Sequence, residues 1–208
     1  MNSHRQPILR LLAAATALAM STSALAASPA ARACPPVDFL SGNLAVNPSF
    51  EIDAYAPSHG GVRCWQLGDP LPAQSAAAGW LMHTDNAGSR VCSRLANGGS
   101  PGQSGNRMLA FQAAGSEGGI YQQHSLDPAK AYMFSVWVLV RHGRVAIQSR
   151  GTIGGPVAWS TQTGEWEQLR VCTNALANTD MLAIYNQAPG GGSFLVDRVE
   201  LREIPTSE

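Results

Sequence analysis

Apolar and polar positions alternate most cleanly between Tyr132 and Arg141, where the chain reads Tyr-Met-Phe-Ser-Val-Trp-Val-Leu-Val-Arg. Tyr132, Phe134, Val136, Val138 and Val140 fall on one face at period two, and Met133, Ser135, Trp137, Leu139 and Arg141 fall on the other. That period, carried by β-branched and aromatic side chains, predicts a strand. The first face is wholly apolar and belongs in a core. The second mixes an indole, a hydroxyl and a guanidinium, as a sheet surface does when something lies on it. A central strand of a β-sandwich divides its faces in this way.

Similar patterns recur downstream. Arg107 to Gln112, Gly119 to His124, Arg144 to Arg150 with Val145 and Ile147 inward, Glu165 to Thr173, Met181 to Gln187 and Phe194 to Arg202 all predict strands. Upstream, Asn43 to Val46 predicts a first short strand ending at the turn signal Asn47-Pro48-Ser49. From Ile52 to Gly105 the chain is irregular, with Gly, Pro, Ser and Asn throughout, and predicts long loops tied by a disulfide. Turns such as Gly154-Gly155-Pro156 and Gly190-Gly191-Gly192 separate the later elements, and no amphipathic helix of ten or more residues stands out. About eight short strands with such turns predict an all-β antiparallel jelly-roll sandwich.

The N-terminus follows a different pattern. Arg5 and Arg10, the short apolar run Leu9 to Met20 and the small-x-small site Ala24-Leu25-Ala26 predict a secretory signal peptide over residues 1–26. Residues 27–42, rich in Ala and Pro, form a lead-in, and residues 43–204 make one domain with enough chain for a real core. Cleavage removes two of the 14 basic residues, leaving 12 against 14 acidic ones, a net charge of about −2. A nucleic-acid binder would carry a basic stripe and a membrane-surface protein a basic amphipathic helix; neither pattern is present. The expected product is a secreted or periplasmic monomer with no membrane insertion.

All four cysteines, Cys34, Cys64, Cys92 and Cys172, lie in the exported part, and no Cys-x-x-Cys pair suggests zinc. In an oxidising compartment they read as two disulfides with three possible pairings. Cys64 and Cys92 flank one irregular stretch, which favours that bridge and leaves Cys34 for Cys172. Spacing alone does not fix the connectivity.

Five pieces in order now resemble a known family. Asn43-Leu-Ala-Val-Asn-Pro-Ser-Phe-Glu51, Gly119-Ile-Tyr-Gln122, Tyr132-Met-Phe-Ser135, Gly164-Glu-Trp166 and Phe194-Leu-Val-Asp-Arg-Val-Glu-Leu201 resemble carbohydrate-binding modules of the CenC type, families 4, 9 and 22. The resemblance spans about residues 43 to 202 and implies a galactose-binding-like jelly roll with its first and last strands paired. Arg198 stands where the family often has a second acidic residue, and the 52–105 stretch is longer than the family pattern. The resemblance also implies a structural Ca2+ ion held by Glu51 and Asp197; their other reading is a loop cap and a partner for Arg198 or Arg202.

Glycan binding is the function that the resemblance implies. Alternation supplies a candidate face for it, made of Trp137 and Arg141, then Gln148 and Arg150, then Tyr185 and Gln187. Aromatic faces stack on the C–H faces of sugar rings while Gln and Arg bond hydroxyls, the usual mix of a ligand site. Trp80 and Trp166 are expected in the core, and Trp65 and Trp159 at a rim. No carboxylate pair, metal-spaced histidines or nucleophile elbow indicates catalysis. Two alternatives remain. One is a small polysaccharide-degrading jelly roll, a hydrolase or a lyase, with Tyr121, His124 and Arg141 as the lyase's residues. The other is a surface or matrix protein using the fold for protein contacts.

Overall fold

Strands, and no helix, build the described part of the chain. The computed structural model describes Cys34 and residues 42–51, 58–59, 62–66, 77–84, 86–95, 105–115, 117–150, 156–174 and 180–205. The predicted signal peptide and most of the lead-in lie outside the described residues.

Twelve strands follow in order: β1 (Ser58–His59), β2 (Val62–Gln66), β3 (Leu81–His83), β4 (Arg90–Leu95), β5 (Arg107–Ala113), β6 (Glu117–His124), β7 (Ala131–His142), β8 (Val145–Arg150), β9 (Val157–Trp159), β10 (Trp166–Asn174), β11 (Asp180–Gln187) and β12 (Gly192–Ile204). They form two antiparallel sheets, ordered β1-β2-β4-β5-β12-β7-β10 and β3-β6-β11-β8-β9. The fold is therefore an all-β sandwich of the jelly-roll kind.

The core lies between the sheets. Phe134, Val136, Val138 and Val140 of β7 meet Leu182 and Ile184 of β11 and Val145 and Ile147 of β8 in one buried cluster. Each large side chain so enclosed contributes about 1.5–3 kcal/mol. β7 is flanked by β12 and β10, one place in from the sheet edge. The turn Asn47–Phe50 locks onto this core. Phe50 takes a positive φ of 59° yet is fully buried against Trp80, ring centroids 5.3 Å apart, and Trp80 Nε1 donates to the Asn47 carbonyl at 3.3 Å. Such backbone strain persists only where packing over-determines it.

Two expectations change here. The 52–105 stretch is not simply loop, because β2, β3 and β4 come from it, and Cys64 and Cys92 sit directly opposite each other on β2 and β4. Asn43 to Val46, in turn, is not a strand. It runs beside β12, where the Leu44 N–H donates to the Leu201 carbonyl at 2.7 Å. The Asn43 side chain replaces a ladder: Oδ1 accepts from the Ala45 and Leu201 N–H groups, and Nδ2 donates to the Val199 carbonyl.

The disulfides join Cys34 to Cys172 and Cys64 to Cys92. Cys172 packs with Ala131, Met133 and Ile204 on the outside of the larger sheet, and Cys34 covers that patch. Between β7 and β8 the chain changes sheets at Gly143, which has φ +85°; a Cβ there would fall 2.5 Å from Asn186 Oδ1 and 2.8 Å from Ala188 Cβ.

Candidate functional site

The outer face of the five-stranded sheet is built in rows. One row crosses the strands as His83, Gly119, Tyr185, Ala146 and Trp159; the next runs Leu81, Tyr121, Ala183, Gln148 and Val157. Large and small residues alternate along the first row and, from Tyr121 onward, along the second, offset between the rows. Gly119 and Ala183 therefore leave a trough with Tyr121 on one side and Tyr185 on the other. The depression holds about 50 Å³ and is lined by His83, Glu117, Gly119, Tyr121, Met181, Ala183 and Tyr185, with Ile120 beneath.

Glycine at 119 is a steric requirement. An added Cβ would lie 2.6 Å from Tyr185 Cα and 2.7 Å from its Cβ, and against the Ile184 carbonyl oxygen. Ala146 works similarly on the other flank. It sits in register between Tyr185 and Trp159, whose rings meet edge-to-face at 5.8 Å and 74° while Ala146 itself is fully buried. Arg144 lies over the Trp159 ring at 4.7 Å, a cation–π contact that fixes the indole from outside. The Tyr185 hydroxyl donates to Gln148 Oε1 at 3.4 Å. Tyr185 is thus held on three sides, and Tyr185, Tyr121 and Trp159 are each half-buried, with part of their surface turned to solvent.

The residues expected to share one face are divided between two. Trp137 and Arg141 belong to β7 in the larger sheet, whereas Gln148, Arg150, Tyr185 and Gln187 belong to β8 and β11 in the smaller one. The outer faces of a sandwich look in opposite directions, so the six make no single surface. The reason is the sheet change at Gly143, which a period-two pattern does not reveal. Gln148 is 8% exposed and backs the surface instead of forming it. Arg150 ends β8 opposite Met181, and Gln187 is exposed at the end of β11.

The tryptophans also sort differently. Trp80 is core, and so is Trp65, expected at a rim but 5% exposed and packed inside. Trp166 was expected in the core; it lies opposite Leu139, half-buried on the outer face of the larger sheet. Trp159 stands beside Tyr185. His83, Glu117, Gly119 and Arg144 are site residues that sequence reasoning missed. Their signal is the pairing of large with small residues across strands, which needs the register.

The lyase residues are not assembled. Tyr121 faces outward on the smaller sheet, Arg141 is on the larger sheet, and His124 turns inward with Nε2 2.7 Å from Gln122 Oε1.

Glu51 and Asp197 each have backbone partners. Glu51 Oε1 accepts from the Asn106 and Arg107 N–H groups, both at 2.7 Å, and Asp197, fully buried, accepts at Oδ1 from the Arg198 N–H at 2.7 Å. Calcium takes six to eight oxygens, and among the described residues no group of three acidic, His or Cys side chains is placed to hold a metal. A site at Glu51 and Asp197 would therefore draw its remaining oxygens from groups other than carboxylates, such as backbone carbonyls.

No protein-family model matches the chain, and no curated protein matches it. Solved structures do. The structure of TmCBM61 in complex with β-1,4-galactotriose superposes with a TM-score of 0.54 at 18% identity, covering 77% of this chain and 98% of that one. A putative sugar binding protein from Bacteroides thetaiotaomicron gives 0.51 at 12% identity, covering 78% and 100%. A cyclase from Fischerella sp. TAU in complex with 4-(1H-indol-3-yl)butan-2-one gives 0.51 at 15% identity, covering 81% and 100%. These likenesses show a shared β-sandwich fold, and a fold that carries both a sugar-bound module and a cyclase does not select a function.

Proposed function

We propose that the mature protein binds a polysaccharide or glycoconjugate without cleaving it, through the outer face of the five-stranded sheet. The observation that carries this reading is the trough over Gly119 and Ala183 between Tyr121 and Tyr185. A pyranose ring has flat C–H faces and a rim of hydroxyls. Two tyrosine rings flanking a floor of glycine and alanine suit the former, and His83 and Glu117 at the end of the trough suit the latter. The Tyr185 ring, already held by Trp159 and Gln148, loses little freedom on binding, which favours affinity. The resemblance to CenC-type modules supports the same reading, as do the sugar-binding neighbours of the fold. The signal-like N-terminus and two disulfides support a secreted or periplasmic location.

A shallow, open trough excludes little water, so the expected Kd is about 10–1000 μM, or roughly 4–7 kcal/mol. Calorimetry against a panel of soluble glycans, paired with a reducing-end assay, tests the proposal. Tyr185→Ala and Tyr121→Ala are each expected to weaken binding about tenfold, close to 1.4 kcal/mol, while Trp137→Ala on the opposite sheet leaves it unchanged. Binding that depends on Trp137 and not on the tyrosines would refute the site. Release of reducing ends would make the protein an enzyme, and no binding across the panel would favour a protein-contact role.

We further propose, on the strength of the family resemblance, a structural calcium ion at Glu51 and Asp197, completed by backbone carbonyls. A ligand that binds only the folded state raises its stability by RT ln(1 + [L]/Kd). The expected result is a Tm lowered by a chelator and restored by calcium, with the shift absent in Asp197→Asn. A Tm indifferent to the chelator rejects the ion and leaves Glu51 as a cap for the start of β5.

A further inference from the structure

The outer face of the seven-stranded sheet carries a second groove, away from the tyrosine trough. It holds about 170 Å³ and is lined by Arg90, Cys92 and Arg94 of β4, Ala110 and Gln112 of β5, Arg141 of β7 and Ser193 and Leu195 of β12. No carboxylate is among its lining residues. In a chain with as many acidic as basic side chains, three guanidinium groups around one groove with no carboxylate among its described lining residues are a local excess of positive charge.

The sheet geometry places them on opposite walls. Arg90 and Arg94 stand four residues apart on β4, and β5 and β12 separate β4 from β7. Three strand spacings put the two walls about 14 Å apart. The floor between them is low: Cys92, Ala110 and Leu195 lie in register, and the Cys64–Cys92 disulfide stiffens it. A bulge delivers the far wall. Ser193 pairs with His142 and Phe194 with Val140, leaving Arg141 as the extra residue at the groove, a common device for re-aiming a side chain.

The donors are available. Arg90 Nε donates to Gln112 Oε1 at 2.9 Å, which orients that guanidinium and leaves its terminal nitrogens to the groove. Arg94 and Arg141 are exposed and have no hydrogen-bond or ion-pair partner among the described residues. A guanidinium presents paired donors that match carboxylate and sulfate oxygens bidentately.

From this placement we infer that the groove is a second binding site, for the carboxylate or sulfate groups of an acidic polysaccharide lying between Arg141 and the Arg90–Arg94 wall. The inference rests on the reading of the protein as a glycan binder but uses a different face, so the two fail separately. Binding is measured by calorimetry with the mature chain, using oligogalacturonate as the carboxylate probe, chondroitin sulfate as the sulfate probe and a neutral β-galactan as the reference. At least one acidic probe is expected to bind, and Arg94→Gln/Arg141→Gln to weaken it tenfold or more. Raising salt from about 0.05 to about 0.5 M should weaken it about tenfold as well, because exposed charges are screened. Tyr185→Ala should leave acidic-probe affinity within twofold of wild type. An unchanged melting temperature in the double variant shows that the loss is not unfolding; if that variant is unstable, Arg94→Lys/Arg141→Lys, which keeps charge and loses the bidentate fork, should still bind several-fold more weakly than wild type. Acidic probes that fail to bind, or that bind the double variant as tightly as wild type, overturn the inference. If the neutral galactan still binds through the tyrosines, the trough reading survives that outcome.

Discussion

At the scale of single residues, Gln122 shows how a polar side chain in the wall of the sandwich holds loops to the sheet. It is 2% exposed; its Nε2 donates to the Val46 and Gly79 carbonyls, and its Oε1 accepts from the Val46 N–H. His124 completes the cluster, its Nε2 2.7 Å from the same oxygen. Burial pushes the His124 pKa below its usual 6.5. The unfolded chain takes up that proton near pH 6.5, whereas the folded chain does so only at lower pH. Below about 6.5 the unfolded state therefore holds more protons, and stability falls as the pH drops toward the folded pKa. Denaturation midpoints are expected to be higher at about pH 7 than at about pH 5, with a smaller difference in His124→Gln. An undiminished difference in that variant would place the pH sensitivity elsewhere. Residue roles of this kind were only partly legible in the sequence. Alternation put Gln148 on the outward side of β8, but it could not show that Gln148 is covered and serves the Tyr185 hydroxyl.

At the scale of elements, legibility followed strand length. β5, β6, β7, β8, β10, β11 and β12 run six to thirteen residues and display their period. β1 and β3 have two and three residues between glycine- and alanine-rich connections, too few for alternation to show, and β9 has three. β2 and β4 are longer, but Cys64 and Cys92 stand at outward positions and blur the contrast of faces. Sheet membership was hidden for another reason. β7 and β8 are joined by a turn short enough for a hairpin, and only the requirement for glycine at 143 marks the crossing between sheets. The disulfides belong to this scale. Cys64–Cys92 closes a sequence separation of 28 between neighbouring strands and Cys34–Cys172 one of 138. Loop-closure entropy assigns about 3–4 kcal/mol to the first and about 5 kcal/mol to the second. Replacing Cys64 and Cys92 by Ala is expected to lower the denaturation free energy by about 2–4 kcal/mol, measured by chemical denaturation. Thiol titration of the denatured, unreduced wild type should find no free thiol; four would end the account.

At the scale of the whole molecule, the two sheets assign different chemistry to opposite sides. The smaller sheet presents aromatic rings over a small-residue floor, and the larger presents guanidinium groups over an aliphatic one. The class of fold was readable from strand count, turns and motif order, because a sandwich needs only alternation and punctuation. Which residues act together depends on which sheet each strand joins, a property of topology that no local pattern carries. The back-to-back arrangement has a consequence for valency. A short oligosaccharide engaged on one side cannot reach round the sandwich to the other, so its effective concentration there is close to zero. The two proposed sites are thus independent toward small ligands, and calorimetric isotherms for neutral and acidic probes should add without competition. Long polymers behave differently, because each side can take a separate strand of polysaccharide. One copy of the sandwich would then act as a cross-link, tying an acidic chain to a neutral one in a mixed gel.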